Sequence, residues 1–167
     1  MNGITAAGMI AELGLAPLPN EGGFFRRTWT SATLLGNGRA AGSAILFLVT
    51  PDGFSALHRL ETDELWHFLG GDPVEHLQLD ARDRSVRLTR FGSGAASAQL
   101  VVRGGAWQGA RLSPEAAPAD GEARRGWALF GCTLVPAWDE KEFTLGRRGE
   151  LVRLFPGQAE RIVALTR

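Results

Sequence analysis

The sequence predicts an all-β protein, an antiparallel sandwich or barrel with a few short helices. Three observations favour that fold class. The chain has 22 Gly and 8 Pro among its 167 residues, which interrupt any long helix. Short runs of β-branched and aromatic residues recur at intervals of roughly 8 to 12 residues, each bounded by Gly, Pro, Asp or Ser. The length is typical of one domain, and we expect residues 1–167 to form it.

Both ends of the chain are predicted to be helical. Residues 4–13 carry apolar side chains at roughly helical spacing, and Gly14 follows, where a left-handed C-cap residue is typical. Residues 149–167 carry two apolar clusters on either side of Pro156. That pattern predicts two short helices packed on the outside of the sheet, in a helical tail over about residues 146–167.

The strands are predicted between these helices, in a barrel core over about residues 24–145. Residues 43–50 are an apolar run that ends at the turn Pro51-Asp52-Gly53. Residues 113–126 lack apolar periodicity, which indicates a surface loop. The predicted strands cover residues 24–31, 43–50, 54–60, 65–69, 74–79, 85–91, 100–102 and 127–135.

Charge, hydropathy and cysteine usage exclude several classes of protein. The 18 Lys and Arg residues balance the 18 Asp and Glu residues, so no net charge draws the chain to nucleic acid or anionic lipid. The longest apolar run, residues 44–49, is too short to span a membrane. The single cysteine, Cys132, cannot form an internal disulfide and lies in an apolar strand, which predicts a buried, unreactive thiol. We therefore expect a cytoplasmic protein with no nucleic-acid or membrane partner.

The histidines of the chain cluster in the sequence together with several acidic residues. If residues 61–63 form a hairpin loop, the strand period of two places His58 and Glu64 on one face. The same parity sends His67 to the opposite face and makes it a weaker candidate. A structural interpretation of His58, as a core histidine that donates to a neighbouring carboxylate, is equally consistent with the pattern. The large aromatic residues nearby are likewise more often core residues than ligand contacts.

The same region resembles the cupin signature, in which a Gly precedes a His-x-His pair, a Glu and a further Gly. The matching residues here are Gly53, His58, Leu60, Glu64 and Gly71. Beyond that signature, nearly the whole chain is similar to one family of small cupin proteins, DUF985 (Cupin_5). Five segments in order carry this similarity: residues 20–29, 55–60, 63–73, 101–108 and 129–136.

The resemblance implies a fold, a pocket and an assembly. The fold is a double-stranded β-helix, the cupin jelly-roll barrel, and its mouth holds a pocket for a small molecule. Members commonly form homodimers joined by sheet contacts, and an open jelly roll leaves unpaired strand edges that a partner can cover. We therefore expect a homodimer that binds a small-molecule ligand.

The chain departs from the metal-binding pattern of cupins. That pattern offers two His, one Glu and a third His, which suits iron, manganese, nickel or zinc. Here Leu60 stands at the second His position and Gln108 at the third. His58 and Glu64 remain as good ligands, with Gln108 a poor third. We expect that no cofactor is required, and that any divalent metal, such as Zn²⁺ or Ni²⁺, binds only weakly.

The expected pocket offers polar and aromatic contacts. Ser55 and Gln108 are suited to hydrogen-bond a carbonyl or hydroxyl group, and Arg26 is suited to pair with a carboxylate or phosphate. The predicted ligand-binding residues are Phe25, Arg26, Phe47, Ser55, Trp66, His67, Trp107 and Gln108.

The leading functional hypothesis is an isomerase- or epimerase-like enzyme that needs no metal. A His and a carboxylate in an aromatic, partly dry cavity have pKa values that are pushed apart, which gives one acid and one base near neutral pH. His58 and Glu64 are the predicted catalytic pair. Two alternatives stay open: a non-catalytic metabolite-binding module, and a metal-dependent dioxygenase or lyase with a reduced ligand set.

Overall fold

Two antiparallel β-sheets face each other in the structure, a computed structural model that describes residues 4–92, 98–114 and 123–167. The helices are α1 (Ala6–Leu13), α2 (Arg148–Leu154) and α3 (Ala159–Ala164), with 3-10 turns at Glu140–Glu142 and Pro156–Gln158. The strands are β1 (Ala16–Pro17), β2 (Phe24–Thr30), β3 (Ser43–Val49), β4 (Ser55–Arg59), β5 (Glu64–Gly71), β6 (Val74–Leu79), β7 (Val86–Phe91), β8 (Gln99–Val102), β9 (Trp107–Leu112), β10 (Ala128–Leu134) and β11 (Thr144–Leu145).

The strand order identifies the predicted jelly roll. One sheet has the order β1-β2-β3-β10-β5-β8 and the other the order β11-β4-β9-β6-β7. Strands that are neighbours in the chain therefore often lie in different sheets. Apolar side chains between the sheets form the core, in which Phe47, Phe91 and Phe130 are almost fully buried. The prediction of an all-β jelly-roll fold with short terminal helices is confirmed.

The predicted hairpin between residues 54–60 and 65–69 is wrong. Strand β4 pairs with β9 and β11, whereas β5 pairs with β10 and β8 in the opposite sheet. The turn between them crosses from one sheet to the other, beside the turn that joins β8 to β9. Hydrogen bonds hold the two turns together: Gly105 N–H donates to the Leu60 carbonyl at 2.7 Å, and Gly104 N–H donates to Asp63 Oδ1 at 2.7 Å. These contacts, remote in sequence, favour the crossing over the hairpin.

Strand β9 is absent from the predicted strands because its sequence contains Gly109 and Ala110, which have low strand propensity. The structure requires small residues there, because β9 lies between β4 and β6. A Cβ atom added at Gly109 would lie 3.1 Å from the Ser55 carbonyl oxygen. The close approach of β4 therefore explains this glycine.

The helices cover the outer faces of the two sheets. Helix α1 has the predicted left-handed C-cap at Gly14 (φ 61°), and it packs through Met9 against the six-stranded sheet. Helices α2 and α3 pack through Leu151 and Ile162 against the five-stranded sheet, as predicted for the tail. None of the described helices has the length and apolar character needed to cross a membrane. The predicted surface loop at 113–126 falls mainly on residues 115–122, outside the described residues.

Candidate functional site

A cavity of about 360 Å³ lies between the two sheets at one end of the barrel. We use "floor" for its buried residues His58, Glu64 and Trp66, and "mouth" for its exposed residues Arg27, Trp138 and Glu140. Aromatic and aliphatic side chains form most of the remaining wall. Such a cavity has the size and apolar character of a small-molecule site.

The inner face of the six-stranded sheet supplies one wall of the cavity in two rows. In the first row, Arg27, Ile45, Cys132 and Trp66 are in register across β2, β3, β10 and β5. In the next row, Ser43, Leu134 and Glu64 are in register across β3, β10 and β5. All seven side chains line the cavity. The pairing register therefore fixes which groups face a ligand.

His58 and Glu64 meet in this cavity because they belong to facing sheets. His58 lies near the end of β4 and Glu64 at the start of β5, on either side of the crossing turn. Both are buried, with exposed fractions of 2% and 7%. The hairpin predicted between β4 and β5 does not form. The turn that crosses between the sheets nevertheless brings the same two side chains into one cavity.

The Glu64 carboxyl group is buried, and the nearby charges of His58 and Glu21 act on it in opposite directions. Burial raises its pKa to about 7; the charge of His58 lowers the pKa, and the charge of Glu21 raises it. Gln108 Nε2 donates to Glu64 Oε2 at 2.6 Å, and the Trp66 indole N–H approaches the carboxyl group without completing a hydrogen bond. Glu64 is therefore able to bind or release a proton near neutral pH.

The His58 ring is held in a defined orientation and tautomer. Its Nδ1 lies 2.9 Å from the Ala56 carbonyl oxygen, which can only accept, so Nδ1 carries the hydrogen. In the neutral ring, Nε2 is then the nitrogen with a free lone pair. The ring stacks on Phe143 with centroids 5.5 Å apart. His58 is thus oriented as a proton acceptor through Nε2.

Glu21 is a member of the site that sequence reasoning missed. Its Oε1 lies 3.8 Å from His58 Nδ1 and accepts a hydrogen bond from Ser55 Oγ at 2.8 Å. Gly22 and Gly23 follow with φ of 95° and 70°, and a Cβ at Gly23 would lie 2.7 Å from the Phe47 ring. The Gly-Gly pair in the first segment that resembles DUF985 was the available signal, because it permits the loop to approach the barrel.

Behind the floor, His76 is fully buried beside Gln108. Neither ring nitrogen has a hydrogen-bond partner among the described residues, and the ring meets Trp66 edge-on at 5.1 Å. Burial lowers the pKa of His76 to about 3; the charge of His58 adds to this effect and Gln108 opposes it. His76 is therefore a neutral core histidine at physiological pH.

The structure brings only some of the predicted ligand-binding residues into the cavity. Phe25, Phe47 and Trp66 line it. Ser55 and Gln108 do not belong to the lining; they hydrogen-bond to Glu21 and Glu64, and so support the site from behind.

Three of the predicted ligand-binding residues, Arg26, His67 and Trp107, lie outside the cavity. Arg26 is exposed on the other face of β2, since neighbouring strand residues point to opposite faces and Phe25 faces inward. His67 lies on the outer face of β5, where Nδ1 is 3.2 Å from Gln99 Nε2. Trp107 packs under the C-terminal helices, with the Arg59 guanidinium 5.0 Å above its ring.

The side chains present do not fit the metal set of the cupin pattern. Leu60 contributes an apolar wall, and the amide nitrogen of Gln108 is engaged with Glu64. Among the residues that the structure describes, no group of three or more His, Cys, Asp or Glu side chains is arranged to hold a metal ion. Weak binding of Zn²⁺ or Ni²⁺ at His58 and Glu64 stays a prediction.

Comparison with solved structures shows close overall similarity to two chains. One is a hypothetical protein from Leishmania major, with 30% identity, a TM-score of 0.81, and coverage of 97% of this chain and 98% of that one. The other is a protein from Shewanella oneidensis, with 25% identity, a TM-score of 0.84 and coverage of 98% of both chains. A cupin 2 domain-containing protein from Halorhodospira halophila shares the fold at 14% identity, with a TM-score of 0.56 and coverage of 90% and 86%.

The family comparison agrees with these structures. The search of curated proteins found no match. The family model Cupin_5, described as Cupin superfamily (DUF985), matches residues 7–146. That match covers both sheets and all the residues of the cavity. The chain therefore belongs to the DUF985 family of the cupin superfamily.

Proposed function

We propose that the cavity binds a small carbonyl compound and that His58 and Glu64 move a proton on it, as in an isomerase or epimerase. The observation that carries this proposal is the placement of two buried titratable groups, from facing sheets, in one aromatic-walled cavity. Burial raises the pKa of Glu64 to about 7, which suits a group that gives up and takes back a proton near neutral pH.

The proposed step uses neutral His58 and protonated Glu64. His58 Nε2 accepts a proton from the carbon next to the carbonyl group, and the electrons of that C–H bond form the enol double bond. The Glu64 carboxyl group donates its proton to the carbonyl oxygen, which accepts the displaced π electrons. His58 then returns its proton to carbon while Glu64 takes back a proton from an enol oxygen. Return to the opposite face of the same carbon, after the enol has turned over in the cavity, gives an epimer. Where that carbon carries a hydroxyl group, return to the former carbonyl carbon, with Glu64 taking the proton of that hydroxyl group, gives an isomer. The enzyme ends in its starting state, and nothing is oxidised or reduced.

A purely binding role is the second candidate. It is favoured by the hydrogen bonds that His58 and Glu64 already make, with Ala56 and Gln108 respectively, as satisfied core residues do. In that case the cavity holds its ligand unchanged.

Solvent deuterium exchange tests the two candidates directly. The protein is incubated in D₂O with neutral and acidic ketones: hydroxyacetone, levulinate, benzoylpropionate and benzoylpropionamide. We expect proton NMR to show loss of the C–H signal beside the carbonyl in at least one compound with the wild-type protein, and not with His58→Ala. Binding of these ketones without exchange would favour the binding module over the enzyme.

The predicted homodimer and cytoplasmic location stay proposals. We propose a dimer because, among the strands that the structure describes, β7 and β8 stand at the ends of their sheets, where a partner strand can pair. Light scattering at micromolar concentration tests it, and a monomer would contradict it.

A further inference from the structure

Arg27 is a cation at the cavity mouth. It lines the cavity at the end remote from Glu64, on the inner face of β2. Within residues 4–92, 98–114 and 123–167, its guanidinium group makes neither an ion pair nor a side-chain hydrogen bond. Partial burial lowers its pKa, and no carboxylate in the described part of the chain opposes that shift. A partly desolvated, unpaired guanidinium gains from an anion that enters the cavity.

The other charges of the cavity restrict where that anion lies. Glu21 and Glu64 line the deep part, and Glu140 lines the mouth. The Glu21 carboxylate beside His58 repels an anion at the floor whether or not Glu64 is ionised, so the negative group of a ligand belongs near Arg27. A single guanidinium beside several carboxylates also favours one negative charge over two, since a dianion would be repelled more strongly. The fork of an arginine side chain matches a carboxylate geometrically.

The sheet sets the distance between the two ends of such a ligand. Arg27 and Trp66 occupy one row on β2 and β5, with β3 and β10 between them. Three inter-strand spacings correspond to roughly 14 Å of sheet. Glu64 lies in the adjoining row on β5. A group bound by Arg27 is therefore separated from the reacting group at Glu64 by an apolar stretch that Ile45 and Cys132 line.

We infer that the ligand is a small oxo carboxylic acid whose carboxylate pairs with Arg27 while its carbonyl group, joined to the carboxylate by an apolar linker, faces His58 and Glu64. This inference rests on the proposed ligand-binding role of the cavity. The cavity volume of about 360 Å³ lies at the small end of the usual range for ligand sites, which suits a small acid.

A matched pair of probes tests the assignment of Arg27. Benzoylpropionate and benzoylpropionamide have the same shape and ketone, and they differ in charge. Affinities are measured by calorimetry for the wild-type protein, Arg27→Gln, Arg27→Lys and Arg26→Gln. Arg26 is the matched control, because it is the same residue type on the opposite, exposed face of the same strand.

We expect the wild-type protein to bind the acid at least about tenfold more tightly than the amide. Arg27→Gln should reduce that ratio to about one by weakening the acid alone, Arg27→Lys should retain part of it, and Arg26→Gln should leave it unchanged. An unchanged ratio in Arg27→Gln would overturn the inference. Failure of the wild-type protein to bind either probe at about 10 mM would also overturn it.

Two further outcomes separate this inference from the proton-transfer proposal. Selective binding of the acid without deuterium exchange would support the role of Arg27 and contradict proton transfer. Deuterium exchange on hydroxyacetone with no preference for the acid would support proton transfer and contradict the role of Arg27. Tighter binding of hydroxyacetone phosphate than of levulinate would contradict the choice of a singly charged carboxylate.

Discussion

His58 and Glu64 belong to different sheets and line the same cavity, because the turn between them crosses from β4 to β5 instead of forming a hairpin. Facing sheets bring their inner side chains together without direct strand pairing. The two groups therefore meet across the barrel interior. This arrangement makes both of them accessible to one ligand while their backbones are fixed by separate hydrogen-bond networks.

The substitution Glu64→Gln removes the titratable proton and retains the size of the side chain. We expect the deuterium exchange of a ketone substrate to fall by at least about 100-fold, as is typical when a general acid is lost. The fold should persist, because an amide fits the same space next to Gln108. NMR exchange rates and circular dichroism check the two parts. Deuterium exchange by Glu64→Gln at the wild-type rate would show that Glu64 is not the general acid.

The pKa of Glu64 also predicts a pH dependence of stability. Its folded-state pKa of about 7 lies above the ordinary 4.5, so the folded state retains a proton that the unfolded state loses between these values. This contribution is complete below pH 4.5 and is lost as the pH rises to 7, on the order of 3 kcal/mol. Urea unfolding of the wild-type protein and Glu64→Gln at several pH values measures it. A stability difference independent of pH would contradict the raised pKa.

His76 is expected to act in the opposite direction. Its folded-state pKa of about 3 lies below the ordinary 6.5, so between these pH values the unfolded state binds a proton and the buried ring of the folded state does not. The stability contribution is present above pH 6.5 and is lost as the pH falls toward 3. The variant His76→Leu lacks this loss, so its stability relative to that of the wild-type protein should increase as the pH falls. Thermal unfolding from neutral to acidic pH measures the gain, and parallel curves would contradict it.

A partly buried ion pair joins turns close to the cavity. Arg39 Nη1 donates to Glu142 Oε1 at 2.6 Å, and Thr62 Oγ1 donates to Glu142 Oε2 at 2.8 Å. We expect Glu142→Gln to lower the free energy of unfolding by about 2 kcal/mol. The control is Glu150→Gln, whose partner Arg147 is exposed and 3.7 Å away; its effect should stay within about 0.5 kcal/mol. Equal effects in urea unfolding would show that Glu142 has no special role.

Cys132 tests the dryness of the cavity wall. Burial raises the pKa of its thiol well above the ordinary value, and the charges of Glu64 and Glu21 add to the shift. Because the thiolate is the nucleophile, alkylation by iodoacetamide at mildly alkaline pH should be far slower in the folded protein than in urea. Mass spectrometry follows the modification. Equal rates in the two states would show that water and reagent reach Cys132 in the cavity wall.

Local sequence patterns predicted most of the strands and both helical ends, because the alternation of apolar and polar residues and the turn residues can be recognised within short segments. Pairing depends on remote contacts, and these were beyond such patterns. The turn at 103–105, bound to Leu60 and Asp63, decides that β4 and β5 separate. Strand β9 was missed because packing against β4, rather than propensity, selects Gly109.

The part of the candidate site that lies on strands was predictable, because side chains alternate between the two faces of a strand. Alternation along β5 correctly placed His67 and Glu64 on opposite faces. The same rule, applied to β2 with Phe25 facing inward, would have pointed to Arg27 instead of Arg26 as the cavity residue. Glu21 comes from a loop, where no period applies. Its position follows from the Ser55 hydrogen bond, which joins residues far apart in the sequence.

A crystal structure of the protein with benzoylpropionate shows which groups of the cavity hold the ligand. We expect electron density in the cavity, with the carboxylate on the Arg27 guanidinium group and the ketone oxygen within hydrogen-bond distance of the Glu64 carboxyl group. Density with the carboxylate at the floor, or binding only outside the barrel, would contradict this expectation.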